Sequence, residues 1–259
     1  MINLIKADLY RLFESKAYKK CIYGAIGITV FVMFLAVLTD SELWLMSFIG
    51  KDNIRRGFRV GLWQGADFNN HVINALSSGA GIYIIGIVLT SYFIISRFRS
   101  GILKNTVTYG YERWKIYVSQ LLSLIIGVSI LIVMSYFSIL LITGITLKVG
   151  SIDIVLAIKS LILYIIIVSA TISIYTLLAT LITNSEVISV IAIAEMMGLT
   201  MVGAMLSTRV NNFIPYSMIR ALSQGPMEVD FITYLVNGVC IIIVTTFIGI
   251  LFFNKKEIK

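Results

Sequence analysis

The chain has 259 residues, of which 58% are hydrophobic and only 13% are charged, and its net charge is +8 at pH 7. Soluble domains contain roughly a quarter charged residues and less than half apolar ones. This composition therefore excludes an ordinary water-soluble domain and predicts an integral membrane protein. The basic residues lie beside apolar runs, which indicates a charge bias across a membrane, and we expect no binding to nucleic acid.

The amino-terminal segment, residues 1–20, has the pattern of an amphipathic helix. Its apolar residues recur at helical spacing, with polar and charged residues between them: Ile2, Ile5, Leu9, Leu12 and Phe13. We predict an interfacial helix that lies along the inner leaflet before the first span. A polar lead-in with chance periodicity is the alternative.

Six apolar stretches have about the length that a transmembrane helix requires, roughly 20 residues. They are residues 22–38, 79–96, 117–144, 154–182, 187–206 and 231–253. No period-two alternation is present, so the sequence predicts an all-α membrane protein with six transmembrane helices, not a transmembrane barrel.

The distribution of Lys and Arg predicts the orientation of these spans. Thirteen of the 21 lie in the two termini and in the segment between the second and third spans, and the other eight lie on the opposite side. Because basic residues favour the cytoplasmic side, we expect both termini to be cytoplasmic.

Two longer segments are predicted on the outer side. Residues 39–78 include Trp44 and Trp63 and form either a substrate gate, a partner surface or a solvated cap. Residues 207–230 contain both prolines of the chain, which bound a short amphipathic stretch. The second segment is therefore predicted to form short outer helices.

Glu195 is the one acidic residue predicted at depth within a span. Ionisable groups are costly in the bilayer, so they usually line a path or pair inside the bundle. Two interpretations stay open: Glu195 lines a substrate path or helps span or dimer contacts, or it is a protonated or hydrogen-bonded packing residue.

Residues that carry catalysis are missing from the sequence. His71 is the only histidine, the two cysteines (Cys21 and Cys240) fit as small apolar residues, and no P-loop or zinc-protease motif occurs. We therefore expect no enzyme activity, no bound cofactor and no metal site in this chain.

A basic, polar segment separates the second and third spans. SRFRSGILKNTVTYGYERWKIYVSQLL, residues 96–122, contains five Lys or Arg residues and one Glu. Gly101 and Gly110 divide it into two short pieces. The first piece is predicted to expose Arg97, Arg99 and Lys104, and the second to place Arg113 at the membrane surface.

This segment resembles the coupling segment of type-2 ABC transporter permeases, particularly small bacterial ones linked to bacteriocin or antibiotic export and immunity. The matching positions are Phe98, Arg99 (in place of Lys), Gly101, Lys104, Asn105, Gly110, Arg113, Ile116 and Tyr117. The sequence departs from the pattern at Leu103, at Arg97, where an acidic residue is usual, and at Gln120, where a lysine is usual.

The resemblance implies a function and a set of partners. It implies that residues 97–116 contact a separate cytoplasmic subunit that binds ATP and hydrolyses it. The implied contact residues are Arg97, Arg99, Gly101, Lys104, Asn105, Gly110 and Arg113. A second permease, identical or a sibling chain, would complete the transporter in a bacterial plasma membrane, in contact with membrane lipid. The expected cargo is an amphipathic peptide, an antibiotic or a lipid-like molecule.

Two other classes of function stay open. A secondary carrier or channel half would need several ionisable or helix-breaking residues within its spans, or an internal repeat. A non-transporting scaffold or sensor would use the basic segment to recruit a regulator or anionic lipid.

Overall fold

The computed structural model describes residues 1–38, 43–49, 55–60, 68–77, 79–147, 153–182, 184–202, 208–227 and 229–256. In chain order the elements are α1 (Ile2–Glu14), α2 (Lys16–Leu38), β1 (Leu43–Ile49), β2 (Arg55–Val60), α3 (Phe68–Ser77), α4 (Gly79–Arg99), α5 (Ile102–Thr108), α6 (Arg113–Leu147), α7 (Ile154–Leu181), α8 (Ser185–Val202), α9 (Thr208–Asn211), α10 (Pro215–Gln224) and α11 (Phe231–Lys255). The protein is predominantly helical, as predicted.

Four helices within the described residues are long and apolar enough to cross a membrane. They are Gly81–Arg99, Arg113–Leu141, Ile154–Leu181 and Phe231–Lys255. Six were predicted, and the first and fifth of these fall in α2 and α8. Both are helical but are not among the four, and residues 203–206 of the fifth prediction lie outside the described part of the chain.

Helix α7 lies at the centre of the bundle and packs against α11, α4, α10 and α6. It is apolar on all sides, and its buried residues extend from Ser160 to Thr180, as expected for a helix with several neighbours. Helix α11 approaches it closely at Gly238, where a Cβ atom would lie 2.7 Å from the Cγ2 atom of Ile166. Small residues of this kind let helix backbones come together in membranes.

Helix α1 forms within the predicted segment 1–20 and packs against α6. It buries Leu4, Asp8 and Leu12, which are spaced four residues apart and share one face. Ile2, predicted on the apolar face, is 70% exposed, and an aspartate occupies the centre of the buried face instead. The position of α1 at a membrane surface stays a prediction.

The predicted outer segment 39–78 contains the antiparallel β1–β2 hairpin and helix α3. Helix α3 buries Val72, Ile73 and Leu76 and packs against α6 and α10. In the second predicted outer segment, 207–230, helices α9 and α10 are present, and α10 buries Tyr216, Met218 and Leu222. Both segments therefore contribute to the core, while their placement outside the membrane stays a prediction.

Candidate coupling site

The centre of the predicted coupling segment is the seven-residue helix α5, which lies between two glycines. Gly101 (φ +68°) precedes it and Gly110 (φ +85°) follows it, so both adopt the left-handed conformation that residues with a Cβ atom avoid. Leu103 and Thr106 are buried and fix one face of α5. The predicted division of the segment at its two glycines is confirmed.

The opposite face of α5 and the following turn are exposed. Lys104, Asn105 and Thr108 lie on this face. Tyr109, directly after the helix, is 83% exposed, and Trp114 at the start of α6 is 40% exposed. The surface therefore combines a positive charge with an amide and aromatic rings, and aromatic rings are enriched at protein interfaces.

The position of the Arg97 side chain differs most from the prediction. Its side chain is 3% exposed, so the prediction that it belongs to an exposed basic face is wrong. Its Nη1 atom lies 2.9 Å from the Oδ1 atom of Asp8, a fully buried residue of α1. Because an unpaired buried charge is strongly unfavourable, the two charges have to be buried together.

A third side chain completes this group. The Ser119 hydroxyl of α6 donates a 2.7 Å hydrogen bond to the Oδ2 atom of Asp8. The guanidinium carbon of Arg97 also lies 5.5 Å from the centre of the Phe93 ring. Asp8, Arg97 and Ser119, hereafter the α1–α4–α6 junction, therefore connect three helices at the end of the bundle that carries α5.

The contact between Arg97 and Asp8 is an ion pair without an aligned hydrogen bond. The two atoms are close, yet none of the three Arg97 nitrogens donates a well-aligned hydrogen bond within the described residues. The side-chain amide of Gln120, buried on α6, likewise has no hydrogen-bond partner there. Arg97 and Asp8 therefore attract each other by their charges, and Ser119 adds a hydrogen bond to Asp8.

Arg113 holds the other end of the coupling segment. Its Nη1 atom donates to the backbone carbonyls of Asn254 (2.9 Å) and Lys256 (2.8 Å), at the carboxyl end of α11. The last carbonyls of a helix lack partners within it, so a basic side chain stabilises them. Arg113 was predicted as a contact for a partner, and the structure directs it towards its own chain.

Lys256 makes the corresponding contact with α7. Its ammonium donates to the carbonyl oxygen of Thr180 and lies 4.4 Å from the centre of the Phe98 ring. Burial lowers the pKa of Lys256, because the charged ammonium is less well solvated there. The rings of Phe98 and Tyr117 both contact Phe253 of α11, at 6.1 and 5.8 Å between ring centres.

Arg99 and Lys104 are the two predicted basic contact residues whose side chains are exposed. Arg99 lines a cavity of about 370 Å³ together with Ser96, Ser100 and Ser185, at the start of α8. Nearby, Glu112 accepts hydrogen bonds from Lys115 (2.8 Å) and from the Trp114 indole. These hydrogen bonds lower the pKa of Glu112, so its negative charge is already compensated within the chain.

Glu195 lies at a second polar contact, further from α5. Its two carboxylate oxygens accept hydrogen bonds from the hydroxyls of Tyr175 (2.5 Å) and Tyr83 (3.2 Å). Both tyrosines are 1% exposed, and they belong to α7 and α4, whereas Glu195 belongs to α8 and is half-buried. Glu195 therefore has partners within the bundle, and it forms no ion pair with any described residue.

Sequence reasoning missed Asp8, Ser119, Tyr83 and Tyr175. Asp8 and Ser119 are 111 positions apart, and Tyr83 and Glu195 are 112 apart. A signal was present only for Asp8, since it interrupts the apolar face that α1 would otherwise present at four-residue spacing. The tyrosines and the serine have no such signal, because hydroxyl residues are ordinary in membrane helices.

Four helices among the described residues are long and apolar enough to cross a membrane, and buried polar contacts lie within the bundle, so the chain is a helical, multi-pass membrane protein. Comparison with models of known protein families gives no match, and comparison with curated proteins gives none either.

Proposed function

We propose that the chain is the permease subunit of an ATP-driven ABC transporter, and that α5 is the helix that contacts its cytoplasmic ATPase. One observation carries the proposal: α5 is a short, separate helix between two left-handed glycines, anchored by Leu103, with Lys104 and Tyr109 exposed. The same segment carries the resemblance to type-2 ABC permeases, and the chain has no P-loop of its own.

The contacts at both ends of the coupling segment support this role. Before α5, the ion pair of Arg97 with Asp8 holds the end of α4. After it, Arg113 holds the start of α6 against the end of α11. A displacement of α5 by a partner would therefore be transmitted to several spans, because packed helices move as rigid elements.

The exposed surface also refines the expected contact with the ATPase. With Arg97 and Arg113 engaged inside the chain, Lys104 and Tyr109 are the prominent side chains on the exposed face of α5. The partner groove proposed here is apolar, to receive the Tyr109 ring, and has an acidic group near Lys104. Exposed charge mainly affects the association rate, whereas a buried aromatic ring anchors the complex.

The finer parts of the proposal follow from the same assignment. Helices α2 and α8 also cross the membrane, as the first and fifth of six spans, and both termini are cytoplasmic. A second permease, identical or a sibling, completes the transporter in a bacterial plasma membrane. The proposed cargo is an amphipathic peptide, an antibiotic or a lipid-like molecule, by analogy alone. Apolar side chains on the outer face of α8 would face this second permease or lipid: Val187, Val190, Ile193 and Met197.

Copurification tests the proposal. The full chain is extracted in mild detergent from its native membrane, bound proteins are identified by mass spectrometry, and ATP hydrolysis by the complex is measured. We expect a P-loop ATPase with the wild-type chain and at least tenfold less of it with Tyr109→Ala. The matched control is Tyr10→Ala, because Tyr10 is 71% exposed on α1 and lies outside the coupling segment.

Two results would contradict this proposal in different ways. If the wild-type chain retains no P-loop ATPase, the transporter assignment fails, and a carrier or a scaffold becomes the better interpretation. If the ATPase is retained equally by wild type, Tyr109→Ala and Lys104→Glu, the transporter assignment stands and α5 is not its contact.

A further inference from the structure

The α1–α4–α6 junction lies immediately before the coupling helix. Arg97 is in the last turn of α4, and three residues separate it from Gly101, which directly precedes α5. Asp8 is near the middle of α1, a helix that otherwise packs mainly against α6. The ion pair therefore joins the amino-terminal helix to the part of α4 that leads directly into α5.

Packing connects α1 to α4 indirectly, because α1 lies on α6 and α6 packs against α4. The Leu12 side chain fits against Gly127 of α6. A Cβ atom on Gly127 would lie only 2.5 Å from the Cδ2 atom of Leu12. Tyr18, at the start of α2, donates a 2.9 Å hydrogen bond to the carbonyl of the same glycine. These contacts hold α1 and α2 on α6, and α2 and α6 in turn pack against α4. The pair of Asp8 with Arg97 adds a direct, charged contact between α1 and the end of α4.

The solvent exposure of this pair distinguishes it from an ordinary surface contact. Asp8 and Arg97 are 0% and 3% exposed, whereas Lys19 and Glu14, an ion pair with the same 2.9 Å separation, are 53% and 59% exposed. An exposed pair exchanges readily with water and contributes little. A buried pair resists separation, because Arg97 would lose its carboxylate, and Asp8 would be left with the more distant, half-exposed guanidinium of Arg11, 4.0 Å away.

We infer that the pair of Asp8 with Arg97 makes α1 move as one body with the end of α4 and with α5. Helix α1 then moves together with the coupling segment, although it lies outside that segment, and Asp8 is a positioning residue for α5. The inferred link between α1 and α4 is argued from the geometry of the junction and does not depend on the proposed function. The statement that the ATPase drives this movement depends on the function proposed above.

Distance measurements between spin labels test the connection in the full chain in lipid nanodiscs. After Cys21 and Cys240 are replaced by alanine, labels are attached at Tyr10→Cys on α1 and Tyr109→Cys after α5, two exposed positions. We expect one narrow distance distribution, and at least a twofold broader one with Arg97→Gln. The matched control Lys19→Gln, which breaks the exposed pair, is expected to leave the width unchanged.

A second label pair shows that the variant is still folded. Labels at Tyr92 on α4 and Val190 on α8, both exposed, report on the packing of these two helices. Their distribution should be the same with Arg97→Gln as in the wild type. We also expect Arg97→Lys, which keeps the charge, to restore most of the narrow width between α1 and α5. Equal widths in the wild type and in Arg97→Gln would overturn the inference.

A third measurement separates this inference from the proposed function. With the ATPase and ATP present, labels on Tyr10 and Tyr109 should both change their distance to a label on Ile232, an exposed residue at the start of α11. In Arg97→Gln only the label on Tyr109 should shift. Movement of Tyr109 without Tyr10 in the wild type would overturn the inference. If no ATPase binds, the proposed function fails, and the first two label pairs still decide whether the connection exists.

Discussion

Two regions of the bundle each hold an acidic residue among apolar helices. Asp8 lies at the end of the bundle near α5, Glu195 lies on α8, and the two residues are stabilised differently. Asp8 is fully buried and faces a guanidinium, with a serine hydroxyl as its hydrogen-bond donor. Glu195 is half-buried and accepts from two tyrosine hydroxyls, without an ion pair among the described residues. The difference indicates a fixed connection at Asp8 and a contact at Glu195 that tolerates loss of the charge.

Removal of the counter-charge at Asp8 should have the largest effect. Arg97→Ala leaves the buried Asp8 with the more distant, half-exposed Arg11 guanidinium at 4.0 Å in place of its close partner, which is expected to cost up to about 3–5 kcal/mol in the free energy of unfolding. The measurement is reversible unfolding of the detergent-solubilised chain. Lys19→Ala is the control, and loss of that exposed ion pair should cost no more than about 1 kcal/mol.

A small effect of Arg97→Ala would be informative about the junction. If it lowers stability by no more than the Lys19 variant does, then water reaches Asp8, and the contrast between a buried and an exposed pair is wrong. The double variant Asp8→Asn with Arg97→Ala separates the cost of leaving the Asp8 charge buried from the cost of losing the Arg97 side chain. It should recover part of the loss, because it also removes the unpaired charge.

Neutralisation of Glu195 should have a smaller effect. In Glu195→Gln the amide oxygen can still accept from Tyr175, and the amide nitrogen can donate to the Tyr83 oxygen. The change in unfolding free energy is therefore expected to stay within about 1 kcal/mol. Glu195→Leu removes the partner of two buried hydroxyls and should cost about 1–3 kcal/mol.

Comparing these two variants decides between the interpretations of Glu195. Equal losses with glutamine and leucine would show that the negative charge itself stabilises the bundle. If Glu195→Gln keeps stability and assembly but alters transport in vesicles, the residue lines a path. If it keeps all three, the packing interpretation is supported.

The sequence was sufficient for the parts of this comparison that depend on composition and local chain geometry. Long apolar runs predicted the helices, and Gly101 and Gly110 predicted the boundaries of α5, because the left-handed conformation is a property of single residues. Glu195 was recognised because a charge within an apolar run is unusual by itself.

The partners of the charged residues could not be predicted, because they come from distant parts of the chain. Arg97 was assigned to the surface since basic residues beside a span usually face water. Its burial depends on Asp8, and the fold brings the two together. The intrachain contacts of Arg113 could not be predicted for the same reason, since the carbonyls to which it donates lie at the end of the last helix. Local sequence reports the charge of a residue, and tertiary packing decides whether that charge is exposed.

Asp230, an exposed acid, extends the comparison and should show the smallest effect. It begins α11, where its carboxylate accepts from the Thr233 hydroxyl and from the backbone amide of Ile232 at 3.2 Å. The hydrogen bond from Thr233 is the main cause that lowers its pKa below the ordinary value of 3.8. Because the folded pKa is lowered, the stabilisation is fully present above pH 3.8 and is lost as the pH falls through the folded pKa.

This loss should be local, because Asp230 is exposed and caps one helix end. We expect faster amide hydrogen exchange at Ile232 below pH 3.8, after correction for the intrinsic pH dependence, while amides near Asp8 stay protected. Asp230→Asn keeps a capping oxygen that does not titrate, so the additional exchange should disappear in this variant. If the pH dependence persists in Asp230→Asn, another acid controls the start of α11.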